Sequence, residues 1–163
     1  MDVMHRNRGF GWWSLLCWLA LGMVLEAMHG FKVGWYLDVV NDARRLQLSL
    51  AHTHGTLIAL VNLAFVATVR VPTGPHRLDR AGACLRWAGV LMPMGFLLGG
   101  VFAMGPDPGY CIVLVPLGGL LLFAGVLLAA LSLRTAEGTP ATKAAAQPPP
   151  TGEPPGKPAR RGK

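Results

Sequence analysis

Four long apolar runs organise the chain: Gly11 to Phe31, Leu46 to Val69, Ala81 to Met104 and Tyr110 to Leu133. Each is bounded by charge, Pro or Gly, and each is long enough for the about 20 helical residues that cross a hydrocarbon core. Backbone N–H and C=O groups find no partner in lipid, so only helices and closed barrels span it. The alternating segments of about ten residues that mark a barrel strand are missing from the sequence. The pattern predicts an all-α, integral membrane four-helix bundle over residues 1–134. Pro93 lies in the middle of the third run, where the loss of a helical hydrogen bond predicts a kink.

Arg6 and Arg8 followed by Trp12 to Leu25 also have the layout of a secretory signal. Leu25-Glu26-Ala27 is a poor cleavage site, with Leu and Glu where small residues are needed, and three more spans follow. An uncleaved first helix is therefore expected. From Thr135 the composition turns to Pro, Ala, Gly, Thr and Lys, with Pro148-Pro149-Pro150 and a basic end at Arg160, Arg161 and Lys163. Such a segment buries too little apolar surface to offset its ordering entropy, so residues 135–163 are expected to form a disordered, Pro-rich, basic cytoplasmic tail.

Composition excludes an ordinary soluble domain, because 52% of the residues are hydrophobic and 14% charged, against roughly a quarter charged in the average soluble domain. The net charge of +7 raises nucleic acid as a partner, but the charges sit at the chain ends and between the spans. They form no basic stripe on a soluble fold, so they read as topology signals and no nucleic-acid partner is expected. Arg6, Arg8, Arg70, Arg77, Arg80, Arg86 and Arg134 fall on one side. The opposite connections carry Lys32, Arg44 and Arg45 beside Asp38 and Asp42, or no basic residue at all. The expectation is a multi-pass protein of a bacterial-type inner (plasma) membrane, with both termini cytoplasmic and the lipid bilayer as its main partner. Cys17, Cys84 and Cys111 make no disulfide framework. Gly95-x-x-x-Gly99 on the third helix suits close helix contact, within the bundle or in a homo-oligomer. Asp107, before the fourth span, is expected to cap it.

An ionisable group inside a span costs at least about 2.5 kcal/mol on insertion scales, so each one needs a reason. Glu26 and His29 lie on the outer half of the first helix, with Lys32 one turn beyond, and His52 and His54 lie in the first turns of the second. At 1.5 Å per residue both groups come roughly 10 Å below the outer boundary. Glu26 and His29 are i and i+3 and share a face. His52 and His54 are i and i+2 and point to nearly opposite faces. The His52 face carries Ser49, Gly55, Thr56, Ala59 and Asn62, which suits the bundle interior; the His54 face carries Leu57, Ile58, Val61 and Phe65, which suits lipid or a neighbouring subunit. The expected site is thus Glu26, His29 and His52, with His54 a weaker member.

Imidazoles from two helices can ligate haem b or a transition metal, with the carboxylate as a ligand or as the partner that orients a histidine. Two axial histidines imply an electron carrier; one leaves an open position for substrate. The alternatives are a non-catalytic membrane subunit or assembly protein whose polar cluster ties helices together, and a small proton-coupled transporter.

At Ala51-His52, followed by Gly55, the second helix resembles the Ala-His-x-x-Gly stretch of small four-helix membrane enzymes of the hydroxylaminobenzene mutase type and, more loosely, styrene oxide isomerase. Length, span count and a charged cytoplasmic tail are also similar. In the isomerase that histidine binds a haem b iron acting as a Lewis acid on an epoxide, so the resemblance implies His52 as the ligand. Those enzymes carry an Asn two turns into the same helix. Here that position is Ile58, the nearest Asn is Asn62, and Glu26, His29 and His54 have no counterpart.

Overall fold

The structure is a computed structural model that describes residues 2–69, 75–104 and 107–137. It is all-helical, with helices α1 (Val3–Gly30), α2 (Asp42–Thr68), α3 (Pro75–Val101) and α4 (Leu114–Glu137). Short 3₁₀ turns at Val39–Asn41 and Tyr110–Val113 lead into α2 and α4. All four helices are long and apolar enough to cross a membrane. Among the described residues the only β pairing is an isolated bridge between Met104 and Asp107.

The helices outrun the apolar patterns at their ends. The first begins at Val3 rather than near Gly11, the third at Pro75 rather than Ala81, and the fourth continues to Glu137, into the segment expected to be tail. Hydropathy marks where a helix enters lipid, whereas the backbone ladder runs on through Arg6 and Arg8. The rest of the expected tail, 138–163, lies outside the described residues. α3 is continuous through Pro93.

Backbone chemistry sets the boundaries. α1 closes in a Schellman motif, in which Lys32 N–H donates to His29 O and Val33 N–H to Met28 O, at 3.1 and 2.9 Å. Lys32 occupies the left-handed position, with φ 52°, where Gly is the usual residue. Asp38 Oδ1 accepts from Val40 N–H at 3.0 Å and starts the turn into α2. Asp107 is not a cap. Its backbone carbonyl accepts from Met104 N–H at 3.3 Å, and the turn into α4 follows Gly109 with no side-chain cap.

α1, α2 and α3 pack on one another, most closely between chain neighbours, and α4 lies against α3. Among the described residues α1 and α4 share no substantial contact, so the helices form an open arc rather than a closed ring. The close α3–α4 approach depends on small residues: a Cβ on Gly118 would lie 2.6 Å from the backbone nitrogen of Met92, and one on Gly95 2.9 Å from Val115 Cγ2. Gly95 and Gly99 are both buried within the chain, and Gly95 makes the close contact within the bundle that its spacing suits. The free faces of α1 and α4 are apolar, with Trp13, Met23, Leu120 and Phe123 each at least 70% exposed. Faces of this kind suit lipid rather than water.

Candidate functional site at His52

α1 and α2 run antiparallel and are joined at one end of the bundle, the loop end, and the α3–α4 connection lies at that same end, where Asn41 and Arg44 bond Ala103 O. Their contact is a reciprocal exchange of rings and glycines. The His52 ring enters a notch on α1 at Gly22, where a Cβ would lie 2.4 Å from Cε1. The Trp18 ring lies on Gly55 of α2, where a Cβ would lie 2.3 Å from Trp18 Cδ2. Trp18 and Gly22 are one turn apart on α1, and His52 and Gly55 one turn apart on α2, so each helix supplies both a ring and a gap. Ala51, beside them, is fully buried.

At the bottom of the notch His52 Nδ1 lies 2.7 Å from the Trp18 carbonyl oxygen. A carbonyl can only accept, so Nδ1 is the protonated nitrogen and donates. In the neutral ring Nε2 is then the lone-pair nitrogen. Histidines that bind metals are oriented in this way, through a hydrogen bond on the other ring nitrogen.

His52 lines a recess of about 670 Å³ between the loop-end halves of α1 and α2, together with Glu26, Tyr36, Ser49 and Thr53. A second recess, of about 680 Å³, adjoins it nearer the loop end and is lined by His29, Tyr36, Asp42, Arg45, Gln47 and Ser49 among others. Tyr36 and Ser49 belong to both.

The three expected site residues are therefore only partly brought together. Glu26 shares the recess of His52, but it is exposed at its edge rather than enclosed in the interior. His29 is also exposed and lines the neighbouring recess. Glu26 has no hydrogen bond or ion pair to His29, Lys32 or His52, so the pairing expected to tie helices together is not made. The i, i+3 spacing did put Glu26 and His29 on one face. That face lies beside the buried stripe of Val3, Asn7, Gly11, Trp18, Gly22 and Leu25 that meets the other helices.

His54 also differs from expectation. Its face was expected to meet lipid or a subunit, yet it packs on α3: the His54 and Phe96 ring centroids are 4.9 Å apart, Ile58 is fully buried and Phe65 is 4% exposed. α2 is covered on two sides, by α1 and α3, and its free strip runs through Thr53, Leu57 and Leu60. His54 Nδ1 bonds its own helix at Leu50 O, 3.0 Å away.

A chelated divalent ion takes three or four protein donors. Among the described residues no three His, Cys, Asp or Glu side chains converge in that way, so Glu26, His29 and His52 do not fit a chelated metal. A group held through one oriented imidazole fits better, because the Trp18 carbonyl already fixes the His52 ring.

Two further polar groupings involve residues beyond the expected site, of which only Asn62 was expected to face the interior. At the opposite end, Asn7 and Asn62 are fully buried. Asn7 Nδ2 donates to Asn62 Oδ1 at 3.0 Å and to Gly82 O at 3.1 Å. Asn62 Nδ2 donates to Ile58 O and Leu85 O at 2.9 and 3.2 Å, and Arg86 donates to Asn7 Oδ1. Both amides are thereby fully satisfied, and α1, α2 and α3 are joined through them. Arg86 was expected to act as a topology signal, and the sequence pattern did not single out Asn7. The usable clue was the position of Asn7 on the stripe that carries Gly11 and Gly22.

The other grouping lies at the loop end. Arg44 stacks on the Trp35 ring, with its guanidinium carbon 4.6 Å from the centroid. It also donates to Trp35 O at 3.0 Å and Ala103 O at 3.4 Å. Asn41 Nδ2 donates to Ala103 O at 3.2 Å. Asn41 Oδ1, Arg44 Nε and Gln47 Oε1 are buried with no partner from the protein.

Comparison with protein-family models, with characterised proteins and with solved structures finds no match.

Proposed function

We propose that the chain is a multi-pass protein of a bacterial-type inner membrane, with both termini cytoplasmic, and that it binds a ligand at His52 in the recess between α1 and α2. The observation that carries this reading is the His52 ring itself. It donates Nδ1–H to the Trp18 carbonyl at 2.7 Å, which leaves Nε2 as its lone-pair nitrogen, and it lines a recess with Glu26, Tyr36, Ser49 and Thr53. The recess is within the roughly 300–1,000 Å³ typical of small-molecule sites.

Haem b held through His52 is the ligand this donor set suits, in line with the resemblance at Ala51-His52 and Gly55. His54 faces α3 and His29 lies in the adjoining recess, so one chain offers a single axial histidine, which favours an isomerase-like role over a bis-histidine electron carrier. Bound there, haem iron would supply a Lewis acid. The protein's part is to fix the His52 tautomer through Trp18 and to place the hydroxyls of Tyr36, Ser49 and Thr53 and the Glu26 carboxylate along the recess.

The test is an absorption spectrum of the full chain in mild detergent, as isolated and after titration with haemin. A Soret band that is lost in His52→Ala and kept in His29→Ala and His54→Ala is expected. A chain that gives no Soret shift on titration sinks the haem reading. The ring-and-glycine exchange between α1 and α2 favours a second reading, a non-catalytic membrane subunit in which His52 is a helix fastener. It predicts that His52→Ala lowers thermal stability and changes no chromophore.

A further inference from the structure

Arg86 carries a charge that the described residues do not balance. It lies inside the third apolar run, where a cation needs a partner or an escape to the headgroups, yet its one protein acceptor there is the neutral Asn7 amide. No other Arg86 nitrogen is both sealed and unpartnered, so the rest of the guanidinium is open at the surface of the bundle. Asp79 precedes it by two turns on the same face of α3, and that carboxylate is engaged across the seam by Arg6, at 3.5 Å. Arg6 repels Arg86 more strongly than Asp79 attracts it. The α1–α3 seam thus holds two cations and one exposed acid.

Depth follows from the contacts between α1 and α3, which run in the same direction, towards the loop end. Asn7 donates to Gly82 O, and the Phe10 ring lies on Gly89, where a Cβ would be 2.9 Å from Phe10 Cε1, so Arg86 stands between these two levels. Trp12 and Trp13 follow within one turn on α1, Trp87 is the next residue on α3, and all three are at least 60% exposed. Exposed tryptophans mark the membrane–water interface. Arg86 reaches away from them towards Asn7, and Arg6 precedes them on α1, so both guanidinium groups are at headgroup level on the side of the chain termini.

We infer that Arg6 and Arg86 bind the phosphate of an anionic phospholipid, one molecule of which lies against the α1–α3 seam in the leaflet on the side of the termini. Guanidinium groups on neighbouring helices offer paired N–H donors to phosphate oxygens, and basic pockets between transmembrane helices take anionic headgroups. The positive excess left beside Asp79 favours a lipid of net negative charge over a zwitterionic one, whose ammonium group would add to that excess. Trp13, two turns beyond Arg6, and Val90, one turn beyond Arg86, continue the two faces into the apolar zone and are exposed, which gives an acyl chain a surface to follow. This inference rests on the chain spanning a membrane and not on the ligand at His52, so either can fail alone.

Native mass spectrometry of the full chain tests it, with the protein released from detergent micelles that hold equal amounts of phosphatidylglycerol and phosphatidylcholine of the same acyl chains. One phosphatidylglycerol per chain should be retained, several-fold in excess of phosphatidylcholine. Arg6→Gln, which touches only exposed groups, and Arg86→Gln, whose amide can still donate to Asn7, should each lower that retention about fivefold, the worth of one basic residue at an anionic surface. Arg86→Lys, which keeps the charge, should retain more than Arg86→Gln. Arg77→Gln removes the same charge from the opposite, exposed side of α3 and should leave retention unchanged. Equal retention of the two lipids overturns the site, as does retention indifferent to Arg6→Gln and Arg86→Gln or an equal loss in Arg77→Gln. Glycerol phosphate at the concentration of the lipid should not compete; displacement by it means that the seam takes a soluble anion and overturns the lipid as occupant.

Discussion

Gly22→Ala is the sharpest probe of the α1–α2 contact, because one added methyl group would occupy the position of a whole imidazole. The new Cβ would lie 2.4, 2.6 and 2.9 Å from Cε1, Nδ1 and Nε2 of His52, so no small adjustment of one atom relieves it and the ring has to leave the notch. The 2.7 Å bond to the Trp18 carbonyl goes with it. Loss of such a bond costs about 1 kcal/mol, and forcing extra volume into a packed contact about 1–3 kcal/mol. Ala gains about 1 kcal/mol over Gly in a helix interior, so the net expectation is a loss of about 1–3 kcal/mol. The decisive measurement is a double-mutant cycle, read by thermal or denaturant unfolding in detergent micelles. With His52→Ala already in place the notch is empty, and Gly22→Ala should become neutral or stabilising. The reasoning is refuted if Gly22→Ala is harmless in the parent chain, or if it is equally harmful with and without the His52 ring.

Two other substitutions address the frame. Lys32→Gly relieves a left-handed backbone position and should stabilise the chain by about 1 kcal/mol in the same unfolding assay; unchanged or lower stability counts against the Schellman closure of α1. Asn62→Ala removes the acceptor for Asn7 and the donor to Leu85 O, at an expected cost of about 1–3 kcal/mol for each buried group left unpaired. A cost confined to the level of an exposed helix position would show that the amides do not join the three helices.

The four helices were readable from the sequence because a span needs an unbroken apolar run, and that requirement leaves a coarse mark. Which face of a helix meets which neighbour was only partly readable. His52 was placed inward from Gly55, Ala59 and Asn62, and the structure puts it against α1. The same reasoning failed for His54, because a face of Ile58 and Phe65 is equally suited to lipid and to α3, and apolar character cannot separate the two. Glu26 and His29 failed for a related reason: spacing fixes their mutual angle but not the rotation of α1 about its axis. Gly11 and Gly22 held that information, since close contact falls where side chains are missing. Asn7 escaped notice because it precedes the apolar run, although the helix does not begin where the run begins.

The open arc of helices also orders assembly in time. Most contacts join helices adjacent in the chain, and local contacts form early because little loop entropy is spent before they are made. α2 can therefore dock on α1, through His52 and Trp18, before α3 has entered. The amides of Asn7 and Asn62 are different, since their acceptors include Gly82 O and Leu85 O and Arg86 is a donor to them. They are satisfied only when α3 is inserted in the right direction and at the right depth. A misplaced α3 leaves buried polar groups bare at the helix contact, so this small network penalises a wrong insertion of α3.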